Sequence, residues 1–337
     1  MRPLFMKKKQ IIFVLAKIAF AASVLAFLFH KINGRQVWGN VYHAEPLPIL
    51  LGVLLCWFTV LVAGLRWHQL LAAFGIGIPL KAVICIAQIG QFFLMFLPGP
   101  AGDDLTRMLY ISRLARGQVG DACTTVLLDR CIGLASILLL ALLCIPWQWH
   151  LLAVSSQTHW LAVGISVAGG VVFAAGSLFF LVDGHFMQRF AGKLLQRLPA
   201  SGIVDQLSRI IAHIFSNKPV IAKVTGVAIG TQILLCAVYW LAGRAVGIHI
   251  PVTMWFGFVP IVLASNAVPL TVAGIGIREY LLVLFLGVLA HIEAAQALAA
   301  SLIAFSMMLA VCLLGGVIYI FYRPVQTVHD KSSGISD

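Results

Sequence analysis

Six long apolar runs constrain this chain more than any other feature of its sequence. Each approaches or exceeds the roughly 18 residues that mark a bilayer-spanning helix, and they cover residues 11–29, 47–65, 122–145, 161–182, 220–242 and 294–321. A closed β-barrel would instead need strands that alternate apolar and polar residues. Because 61% of the residues are hydrophobic and only 10% are charged, a set of soluble domains is excluded. The sequence predicts an all-α polytopic membrane protein with about six transmembrane helices.

One integral-membrane domain is expected over residues 11–323. The first apolar run is followed by His30-Lys31-Ile32 rather than by a small-residue cleavage site. We therefore interpret it as a membrane anchor and not as a removable signal peptide. Residues 1–10 are predicted to be a cytoplasmic N-terminus, and residues 324–337 a disordered tail.

The basic charge of the chain points to lipid rather than to nucleic acid. The formal charge is +12, but the Lys and Arg residues lie between the apolar runs and do not gather on one face. Anionic lipid headgroups are the simpler partner for such a distribution. The seven cysteines lie in apolar segments without Cys-x-x-Cys spacing or clustered His or carboxylate ligands. The sequence therefore indicates no disulfide, no metal site and no redox site.

Loop charge gives the orientation, because cytoplasmic loops carry the excess of Lys and Arg. Residues 146–159 contain neither Lys nor Arg and are predicted to lie outside, whereas residues 183–218 are basic and are predicted to lie inside. Both termini are then expected in the cytoplasm. Within the basic segment, residues 186–215 predict amphipathic helices on the cytoplasmic leaflet, as a linker or as a headgroup sensor.

Two interrupted apolar segments do not fit a simple series of spans. Residues 82–118 contain the breaker Pro98-Gly99-Pro100-Ala101-Gly102, and residues 253–290 contain a second breaker that begins at Pro269. The orientation of the flanking loops requires each segment to cross the membrane an even number of times. We therefore expect two re-entrant helical hairpins, the first opening from the cytoplasm and the second from the outside.

The two breakers share a spacing. In each, an arginine follows the first proline by nine positions: Arg107 follows Pro98, and Arg278 follows Pro269. Two broken segments of opposite entry are typical of an inverted-repeat transporter with its site near the midplane. The alternative is that Pro/Gly loops simply look alike.

Charged residues inside the membrane are the first functional candidates, because placing a charge in the bilayer costs several kcal/mol of free energy. Asp129 and Arg130 interrupt the run at 122–145 and, as neighbours on a helix, point in directions about 100° apart. Each therefore needs a partner from another segment. The candidates are Arg107 or Arg278 for Asp129, and Asp103 or Asp104 for Arg130. These charged residues either hold the hairpin against the span as a structural element or form part of a substrate site.

The starts of the helices after the breakers carry a second set of candidates. Acidic residues in a first turn, such as Asp103 and Asp104, are also ordinary helix caps. At the second breaker, Gly274-Ile275-Gly276 precedes Arg278 and Glu279. Flexible backbone, free N–H groups and a guanidinium predict a receptor for a phosphate. Asn266 would add a hydrogen bond or cap a helix end.

These residues resemble the lysylphosphatidylglycerol synthase transmembrane family, which is also described as flippase-like. The resemblance covers about residues 10–323. The matching pieces are Arg66-Trp67, Leu97-Pro98-Gly99 with Gly102-Asp103 and Arg107, Leu128-Asp129-Arg130 with Gly133-Leu134, and Pro269 followed by Gly274-Ile275-Gly276 with Arg278-Glu279. Family members often have two glycines before the aspartate, whereas here Gly102 is followed by Asp103-Asp104. Either aspartate is therefore a candidate for the usual role.

The resemblance implies a membrane domain that moves a lipid between leaflets. The substrate classes that it suggests are phospholipids, including anionic and modified ones, and hopanoid-type or polyprenyl-linked lipids. Aminoacyl-lipid synthases of the family carry a soluble acyltransferase domain after the membrane part, so we do not expect the synthase reaction from a chain that ends at Asp337. No catalytic motif and no nucleotide-binding loop is present, and no cofactor is expected. The alternatives are a lipid-modifying enzyme with Asp103 or Glu279 as general base, and an accessory subunit that partners a lipid-synthesis enzyme.

The predicted substrate site gathers the charged candidates and the residues around the breakers. Arg107, Arg130 and Arg278 are expected to receive a lipid phosphate, while the carboxylates balance their charge between turnovers. The full set is Arg66, Gly99, Gly102, Asp103, Asp104, Arg107, Asp129, Arg130, Asn266, Gly274, Gly276, Arg278 and Glu279.

Overall fold

A computed structural model of the chain describes residues 34–96, 101–115, 117–146, 156–181, 215–265 and 276–322, together with Ile32 and Trp149. The described residues form ten α-helices and no β-strand. Several predicted features lie outside them: the terminal segments 1–10 and 324–337, the first span, most of the amphipathic stretch 186–215 and the centres of both breakers. Helices are numbered below in chain order.

Five of the described helices are long and apolar enough to cross a bilayer. They are α2 (Pro46–Ala73), α5 (Val119–Cys144), α6 (Ser156–Leu181), α7 (Lys218–Ala245) and α10 (Ala294–Phe321). Each covers all, or all but the last residue, of one predicted apolar run. The shortest have 26 residues and extend about 39 Å at 1.5 Å per residue, more than the ~30 Å hydrocarbon core. The prediction of an all-α polytopic membrane protein is confirmed.

The second predicted span is longer than the sequence suggested. The apolar run at 47–65 ends before Arg66. The helix α2 continues to Ala73, and Arg66 is buried within the protein. Hydropathy ends the run at this charge, whereas the charge is offset by a carboxylate from another helix.

Two pairs of short helices occupy the segments predicted as hairpins. The first pair is α3 (Leu80–Phe96) with α4 (Ala101–Leu114), and the second is α8 (Val252–Ser265) with α9 (Ile277–Ala290). The members of each pair pack against each other. A helix of 14 residues is about 21 Å long and one of 17 about 26 Å, both short of the hydrocarbon thickness. These lengths suit helices that enter a bilayer partway.

The two hairpins correspond to each other only approximately as an internal repeat. Arg107 is the seventh residue of α4, whereas Arg278 is the second residue of α9. The nine-residue spacing from each proline therefore does not place the two arginines at the same depth in their helices.

A close helix contact holds the first hairpin in place. The α3 and α10 backbones meet where Gly315 lies against the carbonyl of Gln88, and a Cβ at position 315 would overlap that carbonyl oxygen. The Gln88 Nε2 donates to the carbonyl oxygen of Val311 at 2.6 Å. Since only glycine permits this approach, α3 is anchored along α10.

A short helix precedes the first described span. The helix α1 (Gly34–Tyr42) packs on α10 and buries Val37. No apolar run predicted it, because its nine residues mix polar and apolar types.

The second hairpin completes the bundle, since α8 packs on α5 and α7 while α9 packs on α10.

Candidate functional site

Asp129 joins two arginines that come from different helices. The Arg66 Nε donates to Asp129 Oδ1 at 2.7 Å, and Arg66 Nη2 donates to Oδ2 at 3.0 Å. The Arg107 Nη1 donates to the same Oδ2 at 3.1 Å. All three side chains are buried. The predicted pair of Asp129 with Arg107 is confirmed, and Arg66 takes the place that the sequence offered to Arg278.

Asp103 extends this network within the first hairpin. Its Oδ1 accepts from Arg107 Nε at 2.8 Å, one helical turn further along α4. Its Oδ2 accepts from Gln91 Nε2 of α3 at 3.4 Å. The carboxylate fits there because position 90 is glycine, and a Cβ on Gly90 would overlap Asp103 Oδ1. Asp103 is therefore a member of the buried network rather than a simple helix cap.

Asp104 forms a separate pair at the edge of the network. Its Oδ2 lies 3.4 Å from Arg130 Nε. The side chains are 19% and 28% exposed, so this pair is the most accessible of the ion pairs between described residues of the site. The structure thus chooses Asp104 over Asp103 as the partner of Arg130.

The aromatic ring of Trp67 supports Arg107 from the side. The Arg107 Cζ lies 5.3 Å from the Trp67 ring centroid. The indole is itself held, since Trp67 Nε1 donates to Thr125 Oγ1 at 3.1 Å. A guanidinium over an indole face gains cation–π attraction as well as packing. Arg107 is thereby fixed by two carboxylates and one ring.

In the second hairpin, one carboxylate occupies the predicted anion receptor. The Gly276 N–H donates to Glu279 Oε2 at 2.5 Å, and Arg278 forms an ion pair with Glu279 Oε1. Gly276 has a φ of 96°, which L side chains rarely adopt. The expectation of free N–H donors is therefore wrong for Gly276, because a side chain of the same helix caps it. Arg278 also lies over the Phe305 ring, 4.8 Å from its centroid.

Both hairpins reach one cavity of about 360 Å³. Its lining combines charged groups from α2, α4, α5 and α9 with apolar side chains. The charged lining residues are Arg66, Asp103, Asp104, Arg107, Asp129, Arg130 and Arg278. Apolar lining residues include Leu94, Leu134, Ile137, Leu235, Phe305 and Met308. A cavity with both kinds of lining can hold a polar group and an apolar chain at the same time.

The predicted site residues are thus placed as follows. Seven of the thirteen line the cavity, and Glu279 pairs with the lining residue Arg278. Gly102 is buried, and its carbonyl accepts from Thr106 Oγ1 at 2.8 Å. Gly99, Asn266 and Gly274 lie outside the described residues.

Several lining residues were not predicted. Gln91 had a signal, since it is a polar residue inside the apolar run of the first hairpin. Trp67 supports Arg107 without lining the cavity, and its only signal was its place beside Arg66 in the family motif. Phe305 had no signal, because one aromatic residue among many in an apolar span looks like any other.

The comparison with protein families agrees with the resemblance stated from the sequence. The family described as lysylphosphatidylglycerol synthase TM region matches residues 14–316, a range that includes every lining residue of the cavity. No curated protein matches the chain at a significant level. Because the family match covers nearly the whole chain, the protein belongs to the lysylphosphatidylglycerol synthase transmembrane family.

Proposed function

We propose that this protein is a lipid flippase that moves a phosphate-bearing lipid between the leaflets of the bacterial inner membrane. The observation that carries the proposal is the cavity lined both by arginines of the two hairpins and by apolar side chains. A headgroup needs polar partners to leave water, while its acyl chains need none if they stay in lipid. The mixed lining of the cavity supplies both environments.

The ion pairs of the site provide a way to bind and release a phosphate. Arg107 and Arg278 each pair with a carboxylate. Arginine binds phosphate with the same fork of N–H donors that it offers to a carboxylate. Exchange of one anion for the other keeps the guanidinium satisfied, and the displaced carboxylate then needs a cation of its own.

Transport is favoured over catalysis by the state of the acidic side chains. A general base needs a carboxylate that is free to accept a proton from the substrate. Asp103 accepts from Arg107, and Glu279 accepts from Arg278 and from the Gly276 N–H. Both candidate bases are thus engaged in ion pairs. We therefore propose a transporter rather than an enzyme.

Purified protein in vesicles tests the proposal. Lipid with a fluorescent label is placed in the inner leaflet, and its arrival in the outer leaflet is measured by chemical quenching while its mass is followed. A flippase moves the lipid without changing its mass. A changed mass would indicate a lipid-modifying enzyme, and activity only after addition of a lipid-synthesis enzyme would indicate an accessory subunit.

A matched pair of arginine variants ties the activity to the cavity. Arg107 and Arg113 lie on the same helix, but Arg107 lines the cavity and Arg113 is exposed. We expect Arg107→Gln to reduce transport strongly and Arg113→Gln to leave it close to the unsubstituted rate. Equal rates for the two variants would remove the cavity from the mechanism.

A further inference from the structure

The charges of the site add up to zero among the described residues. The buried cations are Arg66, Arg107 and Arg278, and the buried anions are Asp103, Asp129 and Glu279. The half-buried pair of Asp104 with Arg130 adds one charge of each sign. Four guanidinium groups therefore face four carboxylates, with each of the eight groups in at least one ion pair.

A neutral site disfavours a lipid headgroup that carries a net charge. If a monoanionic headgroup enters, one negative charge remains without a partner in surroundings of low polarity, where an unpaired charge is costly. A zwitterionic headgroup brings its own cation, so the total stays at zero. This distinction matters here because no arginine of the site is free of a carboxylate partner among the described residues.

The pair formed by Asp104 and Arg130 is where a zwitterionic headgroup can bind. It has the longest separation of the five ion pairs, 3.4 Å, and its side chains are the most exposed. Both residues line the cavity. The other pairs are buried on both sides, so separating them first would expose two charges to an apolar interior.

On the basis of the proposed flippase function, we infer that the substrate is a lipid with a zwitterionic phosphodiester headgroup. This headgroup inserts between Asp104 and Arg130. The phosphate binds Arg130 and the ammonium binds Asp104, so that two ion pairs replace one. An anionic headgroup binds Arg130 alone and leaves Asp104 without a partner. Asp104 and Arg130 are thus the residues that set headgroup specificity.

Vesicle transport of two labelled lipids tests the inference. The probes are phosphatidylethanolamine, which is zwitterionic, and phosphatidylglycerol, which is anionic, each with the same fluorescent acyl chain. We expect the zwitterionic probe to move about tenfold faster, the effect of one unpaired charge at a half-buried site. Equal rates, or faster transport of the anionic probe, would overturn the inference and leave the flippase function standing. If neither probe moves, the inference and a flippase function for phospholipids both fail.

Variants of Asp104 assign the preference to this pair. Asp104→Asn removes the carboxylate that an anionic headgroup leaves unpaired, so the rate ratio of the two probes should fall to about one or below. Asp104→Glu keeps the charge and should keep the preference. Asp121→Asn removes a carboxylate that does not line the cavity and serves as the matched control. An unchanged ratio in Asp104→Asn would overturn the inference, and a simple loss of packing would lower both rates without changing their ratio.

Discussion

Arg66 and Asp129 form a two-point ion pair between α2 and α5, with N–O separations of 2.7 and 3.0 Å, although 63 positions separate them in the sequence. Arg107 approaches the same carboxylate from the first hairpin. One aspartate thus connects two long helices and a hairpin. All three groups are buried, so removal of one would leave an uncompensated charge inside the protein, and all three line the cavity.

Asp129→Asn should destabilise the protein by about 3–5 kcal/mol, since it leaves two buried arginines with one carboxylate partner fewer. Thermal unfolding of the purified protein in detergent measures the loss. The double variant Arg66→Gln with Asp129→Asn should cost less than the sum of the single changes by about 1–3 kcal/mol, as expected for groups in contact. Additive single effects would show that the two residues do not act as a pair.

Gly90→Ala should reduce transport about tenfold or more, because a Cβ at this position overlaps Asp103 Oδ1 and displaces the carboxylate from Arg107. Transport in vesicles measures the effect. Gly226→Ala is the control, since it is also a helix glycine and a Cβ there meets no atom within 4 Å. If Gly90→Ala transports as fast as Gly226→Ala, the position of Asp103 is not important for activity.

Phe305→Leu should lower transport several-fold, because it removes the ring that lies against the Arg278 guanidinium. A cation–π contact contributes about 0.5–2 kcal/mol, which corresponds to a change of roughly two- to thirtyfold. Phe305→Tyr keeps the ring and should retain most of the activity. Initial rates over a range of lipid concentrations distinguish weaker binding from slower turnover. Equal rates for the leucine and tyrosine variants would contradict a role for the ring.

The residues that flank each hairpin should lie on one side of the membrane. Lys81 and Gln118 are exposed on either side of the first hairpin, and His249 and His291 are exposed on either side of the second. In a cysteine-free background, single cysteines at the first two positions should react only with reagents from the cytoplasmic side. Single cysteines at the other two should react only from the outside.

Opposite labelling of the two flanks of one hairpin would mean that this segment crosses the membrane completely. Such a result would contradict the re-entrant hairpins and the inverted repeat with them. Ser156→Cys serves as a reference for the outside, because it is exposed at the start of α6 and adjoins the loop without Lys or Arg.

The fold class was predictable because the membrane imposes it through composition alone. An apolar run of about 20 residues has few options in lipid other than a helix. The apolar runs from residue 47 onward therefore gave the five long described helices, and the Pro/Gly breakers gave the two short pairs. Hydropathy alone misses the end of α2, because the apolar run stops before Arg66 whereas the helix continues to Ala73. The sequence shows the charge of Arg66 but not the carboxylate that pairs with it.

The sequence by itself determined which residues carry charge within apolar segments, and so which were candidates for the site. Only the tertiary structure decided how they pair: Asp129 with Arg66 and Arg107, Asp104 with Arg130, and Glu279 with Arg278. The reason is that residue type fixes the cost of a buried charge, which is a local property. The partner that offsets this cost comes from another helix in most of these pairs, and helix packing alone sets which groups meet.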